Sequence, residues 1–194
     1  MTLHTPTLSE SALQTIQEGV DRLARRSEYG DRALGGADPE KLAVAVPHDV
    51  YTLGLEELSE GKGLEAAEPV GHRVLIMDDD QPVAAAEIPA AKGQGGFAAT
   101  EGPFTETTAL TVQEVERWSV VKKGEYDLRV LRLPALYLMA LWLKDRDGDS
   151  DLLVPLDPAP TGIEAGKGYA AGELLGELQD RARARPEPGE EGSS

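Results

Sequence analysis

Apolar positions along this chain fall at helical spacing near its start, middle and end, and at extended spacing between. Leu13, Ile16, Val20 and Leu23 recur at steps of three and four, which predicts a helix over about Ser9–Glu28 with one buried face. Ser9 is placed to cap it, Leu8 and Leu13 stand at the spacing of a hydrophobic staple, Arg25 and Arg26 suit its negative end, and Gly30 can stop it. A second helix is predicted over Leu110–Gly124. Thr111 and Glu114 have capping-box spacing, and Lys122, Lys123 and Gly124 follow in the order of a helix end. A third, Tyr169–Arg183, aligns Leu174, Leu175, Leu178 and Ala182 before Pro186.

Between these helices the runs are short and extended. "RVLIM" and "PVAAAEI" flank the polar turn "DDDQ" (Asp78–Gln81), the pattern of a β-hairpin. Val50–Leu55 and Asp127–Leu133 read as further strands, the latter carrying Arg129 and Arg132 on opposite faces. Pro134–Leu143 is apolar nearly all round; the short run Asp151–Leu156 beyond an Asp-Gly pair favours a buried hairpin over a helix. The pattern predicts an α+β fold: a single domain with a mostly antiparallel sheet built from hairpins and about three flanking helices. Residues 1–8 read as a flexible arm, 9–183 as the globular domain, and 184–194, with its prolines and acids, as a disordered acidic tail.

Charge narrows the partners. Against 19 Lys and Arg stand 35 Asp and Glu, a net charge of -16, which repels nucleic-acid backbones and anionic membranes and favours a protein partner, a basic one if the acids make the contact. There are no cysteines, which removes thiolate chemistry and disulfides. The longest apolar run is about half of what a membrane helix needs, and no basic-then-apolar leader opens the chain, so a cytoplasmic location is expected. Arginine exceeds lysine and Ala, Gly, Pro and Leu abound, a usage that suits a GC-rich bacterial genome.

"KDRDGDSDLL" (Lys144–Leu153) poses the sharpest chemical question, with Asp145, Asp147, Asp149 and Asp151 at alternate positions. An EF-hand loop needs glycine at its sixth position and a bidentate glutamate at its twelfth. Counting from Asp145 puts Ser150 and Leu156 there, and counting from Asp147 puts Leu152 and Pro158. A solvated hairpin tip is therefore expected, with no cofactor, and weak calcium binding at the four aspartates is the alternative. The acids Asp78–Asp80 carry the same reading.

Other motifs are thinner. Gly-Lys pairs in Glu60–Leu64, Pro89–Phe97 and Glu164–Ala170 lack the P-loop spacing. The glycine-rich segment Ala91–Phe104 carries both phenylalanines, Phe97 and Phe104, with Glu101; apolar side chains on such a loop either tuck back onto the core or meet a ligand, and these three residues are the candidate ligand or partner loop. Three histidines limit acid-base chemistry: His4 is in the arm, His72 abuts the first hairpin, and His48 stands beside Asp49 on the opposite face of a strand. The candidate catalytic groups are His48, Glu87 and Glu101. With no nucleophile elbow and no zinc helix, the sequence points to a non-catalytic protein-interaction or adaptor domain, with a small hydrolase or transferase, or a calcium-responsive binder, as alternatives.

Overall fold

Two β-meanders are joined edge to edge by a parallel pair of strands at the centre of one sheet. A computed structural model describes residues 3–25, 34, 37–90 and 96–184 of the chain. The first meander comprises β2 (Leu42–Thr52), β3 (Glu68–Asp78), β4 (Gln81–Pro89) and β5 (Ala98–Thr100); the second comprises β6 (Tyr126–Leu133), β7 (Leu138–Asp145), β8 (Leu152–Pro155) and β9 (Tyr169–Ala170). Strand order is β5-β4-β3-β2-β6-β7-β8-β9, and only β2 with β6 runs parallel along that path. A two-residue β1 (Leu3–His4) lies parallel to β6 with Leu3 buried. The arm expected over residues 1–8 is thus tied to the sheet at this point.

Helices cover both faces, so strands that alternate in side-chain direction find a core on each side. On one face, α1 (Glu10–Ala24) sets Ile16 and Val20 against Val74, Ile76, Ala84 and Ala86, while α5 (Ala171–Arg183) sets Leu174, Leu175 and Leu178 against Leu131, Trp142 and Leu153. On the other, α3 (Pro103–Val115) and α4 (Ser119–Lys123) pack Ala109, Val112, Val115 and Val121 over Leu75, Val130 and Leu141. A short α2 (Leu55–Ser59) docks Leu58 into the α5 core. Each fully buried leucine contributes about 1.5–3 kcal/mol relative to exposure. No helix among the described residues is long and apolar enough to cross a membrane.

Element ends differ from expectation in instructive places. Ser9 caps α1, its Oγ accepting from the Ala12 amide at 3.2 Å, but Leu13 is exposed and Ala12 packs in its stead. Gly30, Arg26 and residues 185–194 lie outside the described residues. The middle helix begins at Pro103 rather than near Leu110: Gly102, at φ 142, turns the chain, and Pro103 supplies the first helical residue. Thr111 is therefore interior and Leu110 exposed, and the capping-box reading fails. The helix breaks at Trp118, whose extended backbone separates α3 from α4 and whose ring lies against Gly168, where a Cβ would come within 2.8 Å of it. Val50–Leu55 is also shifted, since β2 starts at Leu42 and Leu55 already opens α2. β7 and β8 form the expected antiparallel hairpin, although Pro134–Leu136 is a 3-10 turn and the strand starts at Leu138.

Candidate functional site

A β-bulge decides which residues meet on the α3 face. Between Ala45 and His48 the β2–β3 register slips, so that Leu75 opposes Ala45 and Arg73 opposes His48. The extra residue on β2 sits at Val46, held at φ 49, a left-handed conformation rarely taken by a β-branched residue. It reverses the alternation beyond it. His48 turns to the α3 face, and Asp49 turns to the other, where its Oδ1 lies 2.7 Å from Nδ1 of His72. Pro47, which has no N–H for the ladder, fits this irregular position.

His48, Arg73 and Glu87 then form one row across β2, β3 and β4. Arg132, on β6, reaches the same place, its Nη1 donating to Glu87 Oε2 at 3.0 Å and its Nη2 to Oε1. Arg73 is almost wholly enclosed, 1% exposed. Its Nη1 donates to Thr108 Oγ1 at 3.0 Å and its Nη2 to the Phe104 carbonyl at 3.4 Å, so the first turns of α3 close over it. Its Nε lies 3.5 Å from Glu87 Oε1, beyond good hydrogen-bond reach. Gly71 permits the close approach of β3 to β4 beside this row, because a Cβ there would stand 2.2 Å from the Ile88 carbonyl oxygen.

Two guanidinium groups thus share one carboxylate. Burial pushes the Arg73 guanidinium down to about 10, with Arg132 adding to the effect and Glu87 opposing it. The same two arginines and, above all, complete burial depress His48 to about 3. His48 is therefore neutral at pH 7. Its Nδ1–H donates to the Val46 carbonyl at 2.7 Å, which leaves Nε2 as an acceptor. Among the described residues Nε2 of His48 and the Nε atoms of Arg73, Arg132 and, on the opposite face, Arg129 are buried without a hydrogen-bond partner.

Three hollows of about 290, 390 and 310 Å³ all reach Arg132, and the first two also reach Glu87. Phe104, Tyr137 and Met139 line the second and third. Tyr137 is 71% exposed and sits at φ 53 just after the 3-10 turn, its ring 6.3 Å from that of Phe104. A bulky exposed residue in left-handed backbone stores strain that the surrounding fold must hold.

The residues singled out from sequence are distributed over this region. His48 and Glu87 share the row on Arg73, with both Glu87 oxygens engaged by Arg132. Glu101 lies at the rim of the second hollow and takes the Leu34 amide at 3.3 Å. Phe104 lines that hollow, whereas Phe97 borders the first and is seated on α1 against Gly19, where a Cβ would fall 2.5 Å from the ring. Residues 91–95 of the glycine-rich segment lie outside the described residues. His4 pairs with Glu125 across the β1–β6 junction.

Sequence reasoning missed Arg73 and Arg132 as partners of Glu87. The available signal was Arg73 itself, which shares its strand face with Leu75 in "HRVLIM", at a position where period two expects an apolar side chain.

The aspartate loop joins β7 to β8. Asp145 Oδ1 accepts from the Asp147 amide at 3.1 Å and Oδ2 from the Ser150 amide at 3.2 Å. Asp151 takes the Trp142 indole N–H at 2.8 Å, and the Lys144 ammonium and Asp145 amide at 3.0 Å each. These two carboxylates staple the turn, while Asp147 and Asp149 point to solvent-exposed positions. No group of three or more His, Asp or Glu among the described residues is placed to hold a metal ion. Comparison with protein-family models, curated proteins and solved structures finds no match.

Proposed function

We propose that this chain is a non-catalytic binding module that takes a protein partner on the α3 face, in the second hollow, lined by Arg132 and Glu87 with Phe104 and Tyr137. The observation that carries this reading is Tyr137: an exposed aromatic ring, held in strained backbone, stands beside Phe104 at the mouth of an apolar cleft with a charged floor. Rigid aromatics bordering a pocket are what protein interfaces use as anchors. The chemistry of the floor supports holding rather than reaction. His48 is sealed and weakly basic, both Glu87 oxygens are committed to Arg132, and the hydroxyls of Thr105 and Thr108 donate to the carbonyls of Thr100 and Phe104. The surrounding negative charge favours a basic surface on the partner outside the cleft.

Capture from a lysate of the source organism, with the wild type and Tyr137→Ser side by side, tests it. The side chain is exposed, so the variant folds. A partner retained by the wild type and reduced about tenfold or more with the variant supports the reading, a loss of at least 1.4 kcal/mol. Equal retention by both removes the cleft from the interface. Elution by salt reports the electrostatic share.

The hydrolase or transferase reading keeps one observation in its favour, the convergence of His48 and Glu87 on Arg73. It requires His48 to become accessible. Turnover of generic ester or phosphoester substrates that His48→Gln abolishes would establish it in place of the binding module.

A further inference from the structure

The arginine pair is short of one carboxylate. Arg73 and Arg132 bring two positive charges to the floor of the second hollow and Glu87 returns one, while Glu101 at the rim is directed at the Leu34 amide. The imbalance is written in hydrogen bonds as well as in charge. Arg132 spends both terminal nitrogens on Glu87, and Arg73 spends its own on Thr108 and the Phe104 carbonyl, which leaves the two Nε–H groups buried with no acceptor among the described residues. Buried donors of this kind are costly and are seldom left so. The residues are not alike in access: the Arg73 side chain is 2% exposed, while that of Arg132 is 23% exposed and lines all three hollows.

Resting on the reading of this cleft as a binding site, we infer that the group it recognises is a single carboxylate carried on an apolar body. Arg132 passes from Glu87 to the ligand, and Glu87 closes the remaining distance to the Nε of Arg73. The exchange leaves two guanidinium groups facing two carboxylates, each arginine with its own acid, and gives the orphaned Arg73 Nε–H its acceptor. The apolar body lies against Phe104, Tyr137 and Met139, which border Arg132 on the open side. A neutral isostere of the ligand makes the apolar contacts and cannot draw Arg132 away from Glu87. A phosphate dianion would leave a surplus negative charge beside Glu87, so a monoanion is the matching charge.

Two sources can supply this chemistry, a free small acid or the C-terminal carboxylate of a polypeptide, and the experiment separates them. The full-length wild-type protein, labelled with nitrogen-15, is titrated with 3-phenylpropanoate, with 3-phenylpropanamide, and with an N-acetylated pentapeptide ending in leucine whose C-terminus is either free or amidated. The readout is the arginine Nε–H signals, with those of Arg73 and Arg132 assigned by Arg→Lys variants.

Saturable displacement of both signals by an acid below about 10 mM, with its amide at least tenfold weaker, is the expected result. Response to the peptide acid identifies a polypeptide terminus, and response to phenylpropanoate alone identifies a small acid. Both support the inference. Acid and amide acting alike, or neither displacing the arginine signals, overturns it, while loss of partner capture with Tyr137→Ser would still stand for the binding module. As a second reading, Glu87→Gln frees Arg132 in advance and should tighten the acid about tenfold; an acid affinity unchanged in a folded Glu87→Gln protein contradicts the exchange.

Discussion

Arg129 and Arg132 stand three residues apart on β6 and lead opposite chemical lives. Arg132 faces α3, is held by both oxygens of Glu87, and shares that acid with a second, enclosed arginine. Arg129 faces the α1 and α5 side of the sheet, where its guanidinium lies 5.1 Å from the ring centre of Tyr51 and 4.9 Å from that of Trp142. Its acid, Asp127, is 3.5 Å away, more exposed, and shared with Arg146. Strand alternation alone places the two, but what each is worth depends on what the sheet has gathered around it. One is a charge in a fixed network, and the other is a flat cation resting on an aromatic surface.

Removing the acid from each arginine separates these environments most sharply. Glu87→Ala leaves Arg73 and Arg132 together without a counter-charge, and unfolding in urea should show a loss of about 3–5 kcal/mol, the usual cost of breaking one partner out of a buried pair. Asp127→Ala, on the other face, should cost about 1 kcal/mol or less, as exposed pairs do. Equal effects for the two substitutions would show that the Glu87 network is solvated in solution and would remove the contrast.

Acid sharpens the same comparison through His48. Its folded value, about 3, lies below the ordinary 6.5, with burial the main cause and Arg73 next. The unfolded chain therefore binds a proton that the folded one refuses between about pH 6.5 and 3, and stability falls as pH falls through that window. From pH 7 to pH 5 the loss attributable to His48 is about 2 kcal/mol, at about 1.4 kcal/mol per unit once the unfolded imidazole is charged. Urea midpoints of the wild type and His48→Gln, measured over pH 5–7, isolate it, because His4, His72 and the carboxylates are common to both proteins. A wild-type slope that the substitution does not flatten would mean that His48 meets water.

Much of the fold was legible because it rests on local pattern. Period two marked β6 and the β3–β4 hairpin, and "DDDQ" marked the turn at Asp79, which takes φ 51. The helical stripe of Leu174, Leu175 and Leu178 marked α5. The middle helix was misplaced because its first half, "PFTETTAL", carries little apolar periodicity, so that Thr111 and Glu114 mimicked a beginning inside a helix already under way. The site was less legible for a different reason. Alternation predicts opposite faces for His48 and Asp49, as found, but a single bulged residue at Val46 decides which of them joins Arg73, and only Pro47 hinted at it. The union of Glu87 with Arg132 crosses 45 positions of sequence, and the parallel β2–β6 pairing that brings them together leaves no local mark.

The smallest expected effect is at Arg129. Arg129→Met keeps an unbranched apolar stem and removes the guanidinium that lies over Tyr51 and Trp142, so the change in unfolding free energy should be about 0.5–1 kcal/mol, the size of a partly exposed cation–π contact. Fluorescence gives a second view: the chain has two tryptophans, and Trp142 keeps its indole bond to Asp151 in the variant, so a changed emission would report loss of the cation above the ring. Arg129→Ala strips the aliphatic stem as well and should cost more than Arg129→Met, because the apolar packing of a long stem is then lost with the charge. If instead Arg129→Met matched Glu87→Ala in cost, the two faces of β6 would have to be read as equally dependent on charge. If Arg129→Met and Arg129→Ala were both silent, Tyr51 and Trp142, whose rings meet edge to face at 5.0 Å, would be holding that face without help from the arginine above them.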